Sequence, residues 1–203
     1  ATPPENDEFN TPTLALQWQW HANPQITWGF PSGNLGFYRL NCIPRPEGAH
    51  NLWAVPNLLL QKFPAETFTA TTRLPFHPRK GIEKTGLLIM GDDYQYIALE
   101  NHDGQLSVVV NRCLEAEKDT PEENLFTTAM VNGEIYFRVS VGQGAICRFS
   151  YSSDGVTFTP AGPEFTAQPG RWTGAKVGFF ALREGNTNDA GTADIDWFRI
   201  TRE

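Results

Sequence analysis

The sequence is short of cysteine, of basic residues and of long apolar runs, and each shortage removes a class of protein. Its three cysteines, Cys42, Cys113 and Cys147, lie far apart with no histidine pair nearby. That spacing fits neither a zinc site nor a disulfide framework, and at most one bridge can form. We expect all three to be reduced, half-buried strand residues. Lysine and arginine number 16 against 23 acidic residues, a net charge of −7. Nucleic acid or an anionic membrane would want a basic face, so a neutral partner is more natural. No window of 18 apolar residues occurs, and none of the four histidines has a Ser or Cys partner at a nucleophile elbow. A glycine-rich phosphate loop is absent too.

Aromatic residues are plentiful at 12%, and Gly 18 and Pro 15 point to many turns rather than long helices. A chain of 203 residues suits one large all-β domain. The polar, proline-bearing stretch ATPPENDEFN reads as a linker-like segment over residues 1–10 leading into the first strand, with a single β-sandwich over 11–203. Any signal peptide lies outside this chain.

Period-two alternation is the strongest pattern. Phe68, Ala70, Thr72 and Leu74 share one face of TFTATTRL; Ile135, Phe137, Val139 and Val141 do so in EIYFRVSV, and Leu106, Val108 and Val110 in QLSVVV. The apolar runs NLLLQKF, TGLLIMG and KVGFFAL read as strands covered on both faces. In LALQWQWHANP, a strand from Leu14 would place Leu14, Leu16, Trp18 and Trp20 on one side, which assigns Trp18 to the core. Asp-Gly in ENHDGQLSVVV and Asn-Gly in MVNGEIYFRV predict two tight hairpins. CLEAEKDTPEENLF is the one helix-like stretch, and its charges and Pro121 favour an exposed loop. Together these predict an all-β, two-sheet antiparallel sandwich of the jelly-roll or concanavalin A-like kind with little or no helix.

A glycosidase needs two carboxylates across a cleft. Asp92 and Asp93 sit in a turn; Asp194 and Asp196 alternate in TADIDWFRI, where two like charges side by side imply a cation or solvent. A Glu-x-Asp-x-x-Glu strand and the basic and tyrosine motifs of sandwich lyases are absent, and SYSSDGVTF has the look of a structural Asp-box turn. With no catalytic constellation in view, the expectation turns to carbohydrate binding through loop aromatics: Trp28 and Phe30, Trp53, Tyr94 and Tyr96, and Trp172.

DEFNTPTLALQWQWHANP, NLLLQKFPAETFTATTRL and GRWTGAKVGFFAL…GTADIDWFRI, taken in order, resemble the carboxy-terminal concanavalin A-like module of glycoside hydrolase family 43 β-xylosidases and α-L-arabinofuranosidases, also classed as carbohydrate-binding module family 91. The resemblance implies a noncatalytic accessory module, since the family's catalytic carboxylates lie on a separate five-bladed propeller. It implies xylan- or arabinoxylan-type saccharides and that propeller as partners, and a secreted, periplasmic or cell-surface location. It also implies that HNLWAVPN matches the loop that leans over the propeller's pocket, with Trp53 as the protruding aromatic where relatives often carry a Phe near Val55 and Pro56. A structural calcium is implied in some relatives, with Asp196 and the Asp7 segment as the matching residues. A purely structural domain and, less favoured, a stand-alone sandwich hydrolase or lyase are the alternatives.

Overall fold

A computed structural model describes residues 4–170, 173–185 and 189–202. In chain order the strands are β1 Gln19–Trp20, β2 Gly29–Pro31, β3 Tyr38–Asn41, β4 Ile43–Pro44, β5 Leu59–Lys62 and β6 Phe68–Arg73. They continue as β7 Phe76–His77, β8 Ile82–Met90, β9 Tyr94–His102, β10 Gln105–Cys113, β11 Glu123–Met130 and β12 Tyr136–Gly142. The last six are β13 Ile146–Ser152, β14 Thr159–Pro160, β15 Phe165–Thr166, β16 Lys176–Arg183, β17 Thr192–Ile195 and β18 Trp197–Thr201. Four three-residue 3₁₀ turns complete the regular structure of the described residues.

Two large sheets face each other. One is ordered β1-β5-β16-β8-β9-β10-β11, the other β14-β13-β12-β6-β18, and a small sheet β2-β3-β17-β7 stands beside them. Pairing is antiparallel except for β4, which runs parallel to the end of β16 with Leu182 opposite Ile43. Alternation does what it predicts: β6 and β12 bury Phe68, Ala70 and Thr72, and Phe137, Val139 and Val141, toward the space between the sheets. The continuous runs are covered on both sides. Leu59, Leu87, Ile89, Val177 and Phe179 join the inner core, while Leu58, Leu60, Leu88, Phe180 and Leu182 join a second cluster on the outer face of the first sheet. Gly178 and Gly86 sit where that sheet is tightest. A Cβ on Gly178 would lie 2.0 Å from the Leu59 carbonyl oxygen, and one on Gly86 2.1 Å from that of Ile97.

Three local expectations need correction. Asp103-Gly104 does close a hairpin, pairing His102 with Gln105, because both turn residues take positive φ, 48° and 94°. Asn132-Gly133 does not. It carries the chain from β11 in one sheet to β12 in the other, and Gly133 is needed because a Cβ there would strike the Phe76 carbonyl oxygen at 2.3 Å. The opening strand is only Gln19–Trp20: a turn closed by the Trp18 amide on the Ala15 carbonyl leaves Leu16 97% exposed. Trp18 is nonetheless core, 6% exposed, packed on Phe198 and Phe179, with its indole N–H donated to Asp7 at 2.9 Å. The helix-like stretch holds one 3₁₀ turn, Ala116–Lys118, and is less exposed than expected, since Ala116 is buried and the Glu122 side chain is 10% exposed.

Candidate functional site

In this sandwich the outer face of the first large sheet would be an open platform, yet it is roofed by the chain's own 45–58 segment. Leu52 and Val55 turn down into the second apolar cluster. Asn51 fixes the roof by three bonds: its Nδ2 donates to the carbonyls of Ala116 (2.9 Å) and Thr120 (2.8 Å), and its Oδ1 caps the Trp53 amide (2.9 Å). Asn57 Nδ2 donates to the Ala181 carbonyl at 2.9 Å, and His50 Nδ1 lies 2.7 Å from Asp119 Oδ2.

Beneath the roof lies a polar cluster that the sequence reading missed. The Leu52 N–H donates to the Tyr94 hydroxyl at 2.7 Å, which donates to Glu122 Oε1 at 2.7 Å. Glu122 Oε2 accepts from Tyr96 (2.9 Å), Lys84 (3.2 Å) and Asn111 (3.4 Å), and Lys84 also donates to the Tyr96 hydroxyl at 2.7 Å. Burial works to raise the Glu122 pKa. The Lys84 charge and the two tyrosine hydroxyls outweigh it, so the carboxyl stands below the ordinary glutamate range. Burial first, and the Glu122 charge second, push both tyrosines upward. A general acid for glycoside cleavage needs the opposite arrangement, a raised pKa and an open face, whereas Glu122 is saturated with donors and held ionised. Its geometry is that of a brace. The single signal for it in the sequence, an acid after Pro121 inside a charged run, points to a loop.

Of the six loop aromatics expected to bind sugar, three are buried instead. Trp28 is 3% exposed and set edge-on to Trp20 at 5.4 Å. Tyr94 and Tyr96 lie on β9, 0% exposed, because TGLLIMGDDYQYIAL is a hairpin of two doubly covered strands rather than a loop. Trp172 lies outside the described residues. Trp53 remains: partly buried, it rises from the roof between a groove of about 320 Å³ lined by Glu47, Ala49, Ala116 and Asp119, and one of about 190 Å³ lined by His21, Met90, Gly91 and Lys176. The His21 ring packs edge-on to it at 6.4 Å. Phe30, on β2, is 44% exposed.

Asp194, Asp196, Asp93 and Asp7 are each engaged by protein donors, whereas Asp92 Oδ1 is buried with no hydrogen-bond partner among the described residues. Arg39 grips Asp194 with two bonds of 2.7 Å, and Arg73 Nη1 holds Asp196 Oδ2 at 2.7 Å, so arginines balance the two charges of TADIDWFRI. Asp93 caps the Glu115 amide at 2.7 Å. Asp7 Oδ1 accepts the Phe9 amide at 2.8 Å while its Oδ2 takes the Trp18 indole, and Asp7 is bridged through its backbone to Phe198. Among the described residues no three His, Cys, Asp or Glu side chains converge as a metal cage. With a guanidinium on Asp196 and N–H donors on both Asp7 oxygens, the two carboxylates as placed do not fit a calcium ion, which wants several unpaired oxygens.

The fold and the roof together define a concanavalin A-like sandwich with a partly buried aromatic, Trp53, on a loop and its platform already filled. The chain belongs to the β-xylosidase C-terminal concanavalin A-like domain family, whose model matches residues 6–201. It is 26% identical to a β-xylosidase of Formosa agariphila over 217 residues, covering 98% of this chain and 35% of that protein. A non-reducing-end α-L-arabinofuranosidase of Bacteroides ovatus, BoGH43B, is 22% identical over 200 residues, covering 96% and 36%. Among solved structures, the GH43 protein BlXynB of Bacillus licheniformis superposes with a TM-score of 0.80 at 22% identity, covering 98% of this chain and 39% of that one. The chain thus spans little more than a third of the length of these relatives.

Proposed function

We propose that the chain is a noncatalytic accessory module of a family 43 glycoside hydrolase, and that it acts by packing its roof loop against the catalytic propeller, with Trp53 as the contact that helps shape the pocket. The observation carrying this reading is the pinned roof: Asn51, Leu52 and Asn57 are tied down by hydrogen bonds, and the Trp53 side chain between them stays partly exposed. Rigid aromatics on fixed loops are what interfaces use as anchors. The β-xylosidase and arabinofuranosidase relatives support a parent enzyme acting on xylan- or arabinoxylan-type saccharides, to which we add a secreted, periplasmic or cell-surface location. The isolated module is then without hydrolytic activity.

The test is kinetic. In the two-domain enzyme, Trp53→Ala lowers kcat/KM on a xyloside or arabinoside by about tenfold, the loss expected for one good contact, while the module stays folded. Release of reducing ends by this chain alone, or a source gene without a propeller ahead of Ala1, overturns the proposal.

A further inference from the structure

The outer face of the second large sheet, which holds β6, β12 and β18, lies on the opposite side of the sandwich from the roof. Its three registered rows are Trp197, Arg73 and Tyr136; Arg199, Thr71 and Arg138; and Thr201, Thr69 and Ser140. We propose that this face, centred on Arg138, binds the carboxylate of a uronate-bearing glycan.

Arginines crowd here in a chain of net charge −7, and most are neutralised locally. Arg199 makes two bonds to Glu8 (2.7 and 2.8 Å), Arg73 pairs with Asp196 and Glu134, and Arg148 at the next strand pairs with Glu164. Arg138 has no carboxylate partner among the described residues. Its Nε donates to Thr71 Oγ1 at 3.0 Å, and its guanidinium lies flat over the Phe158 ring at 3.6 Å. Its two Nη groups have no protein partner among the described residues and the residue stays partly exposed, which leaves the planar fork that recognises a carboxylate bidentately available to a ligand.

The Asp-box-like turn explains how Phe158 gets there. Asp154 Oδ1 accepts the amides of Val156 (2.8 Å) and Thr157 (2.9 Å), and Gly155 sits on Tyr136, where a Cβ would lie 2.9 Å from the ring. The turn delivers Phe158 against the Arg138 guanidinium.

The rest of the face suits a sugar. Thr69 and Ser140 hydroxyls are 3.1 Å apart and border an open groove of about 410 Å³ that also includes Gln143 and Arg148. β6 and β12 are interior strands with both edges paired, so no backbone groups are free to add a peptide strand, and the hydroxyls and guanidinium are what a ligand meets. The net negative charge opposes unspecific capture of polyanions, so retention of one reports this face.

This site is independent of the roof, and the experiment keeps the two apart. Affinity electrophoresis of the isolated chain is run through glucuronoxylan and through the same polymer with its carboxyls reduced to alcohols. Retardation by the first, weakened about tenfold by reduction, is expected. Arg138→Gln abolishes the difference; Arg138→Lys keeps the charge, lacks the fork and loses most of it; Thr71→Val weakens binding a few-fold by freeing Nε. Thermal unfolding of each variant confirms that it is folded. Equal retardation by both polymers, no retardation by either, an unaffected Arg138→Gln, or binding abolished by Trp53→Ala instead would each overturn the proposal.

Discussion

The Tyr94 hydroxyl accepts the Leu52 amide at 2.7 Å, and that bond, with the Asn57 side chain on the Ala181 carbonyl, joins the roof loop to the sheet beneath it. Because the same hydroxyl donates to Glu122, the loop carrying Trp53 is anchored to a buried ion pair.

Tyr94→Phe deletes the hydroxyl and strands the buried Leu52 N–H. We expect a loss of about 1–3 kcal/mol in urea unfolding, together with faster amide exchange across 50–55. A change within the error of the measurement would show that the roof holds through Asn51 and Asn57 without this bond.

Glu122→Gln leaves Lys84 as an uncompensated buried charge, a loss of about 3–5 kcal/mol. The pH dependence follows from the lowered pKa. With the folded value below the unfolded one of about 4.3, the unfolded chain binds more protons between the two values. The contribution of Glu122 is therefore complete above the unfolded pKa and disappears as pH falls through the folded one. Melting temperatures measured downward from pH 6 should drop more steeply in the wild type than in Glu122→Gln. Parallel curves would contradict the assignment.

Trp18→Ala removes an indole packed among Phe9, Phe179 and Phe198 and should cost about 3–5 kcal/mol, whereas Trp53→Ala, on the roof, should cost far less. Denaturant midpoints of the two variants, compared directly, decide whether the pair of roles is assigned correctly.

Gly178→Ala and Gly86→Ala place a methyl group against the backbone of a neighbouring strand at 2.0 and 2.1 Å. Either should yield little soluble, cooperatively melting protein. Calcium, by contrast, should leave the melting temperature where a chelator leaves it, because Asp7 and Asp196 are already bound to protein donors.

These cases show what one chain can disclose about its own fold. The inner-face alternation of Phe68, Ala70 and Thr72, and the doubly covered runs, were legible because burial imposes a period that survives in the letters. Asn132-Gly133 was misread because the dipeptide that favours a hairpin also fits a close backbone crossing, and only the position of Phe76 decides between them. Tyr94 and Tyr96 were read as surface aromatics since GDDY is a turn signal. What buries them is the 45–58 segment folding back from about forty residues upstream, a long-range event with no local pattern. Glu122 was invisible for the same reason, its partners Lys84, Tyr94 and Tyr96 being distant in sequence.

The central claim is that a pinned roof presents Trp53 to a catalytic partner. The most direct measurement is kcat/KM of the two-domain enzyme carrying Trp53→Ala, read beside the melting temperature of the module. With Trp53 packed on the propeller, the variant loses about tenfold in kcat/KM while the melting temperature stays nearly unchanged. Full activity from an enzyme whose module is folded and lacks that indole would contradict that packing.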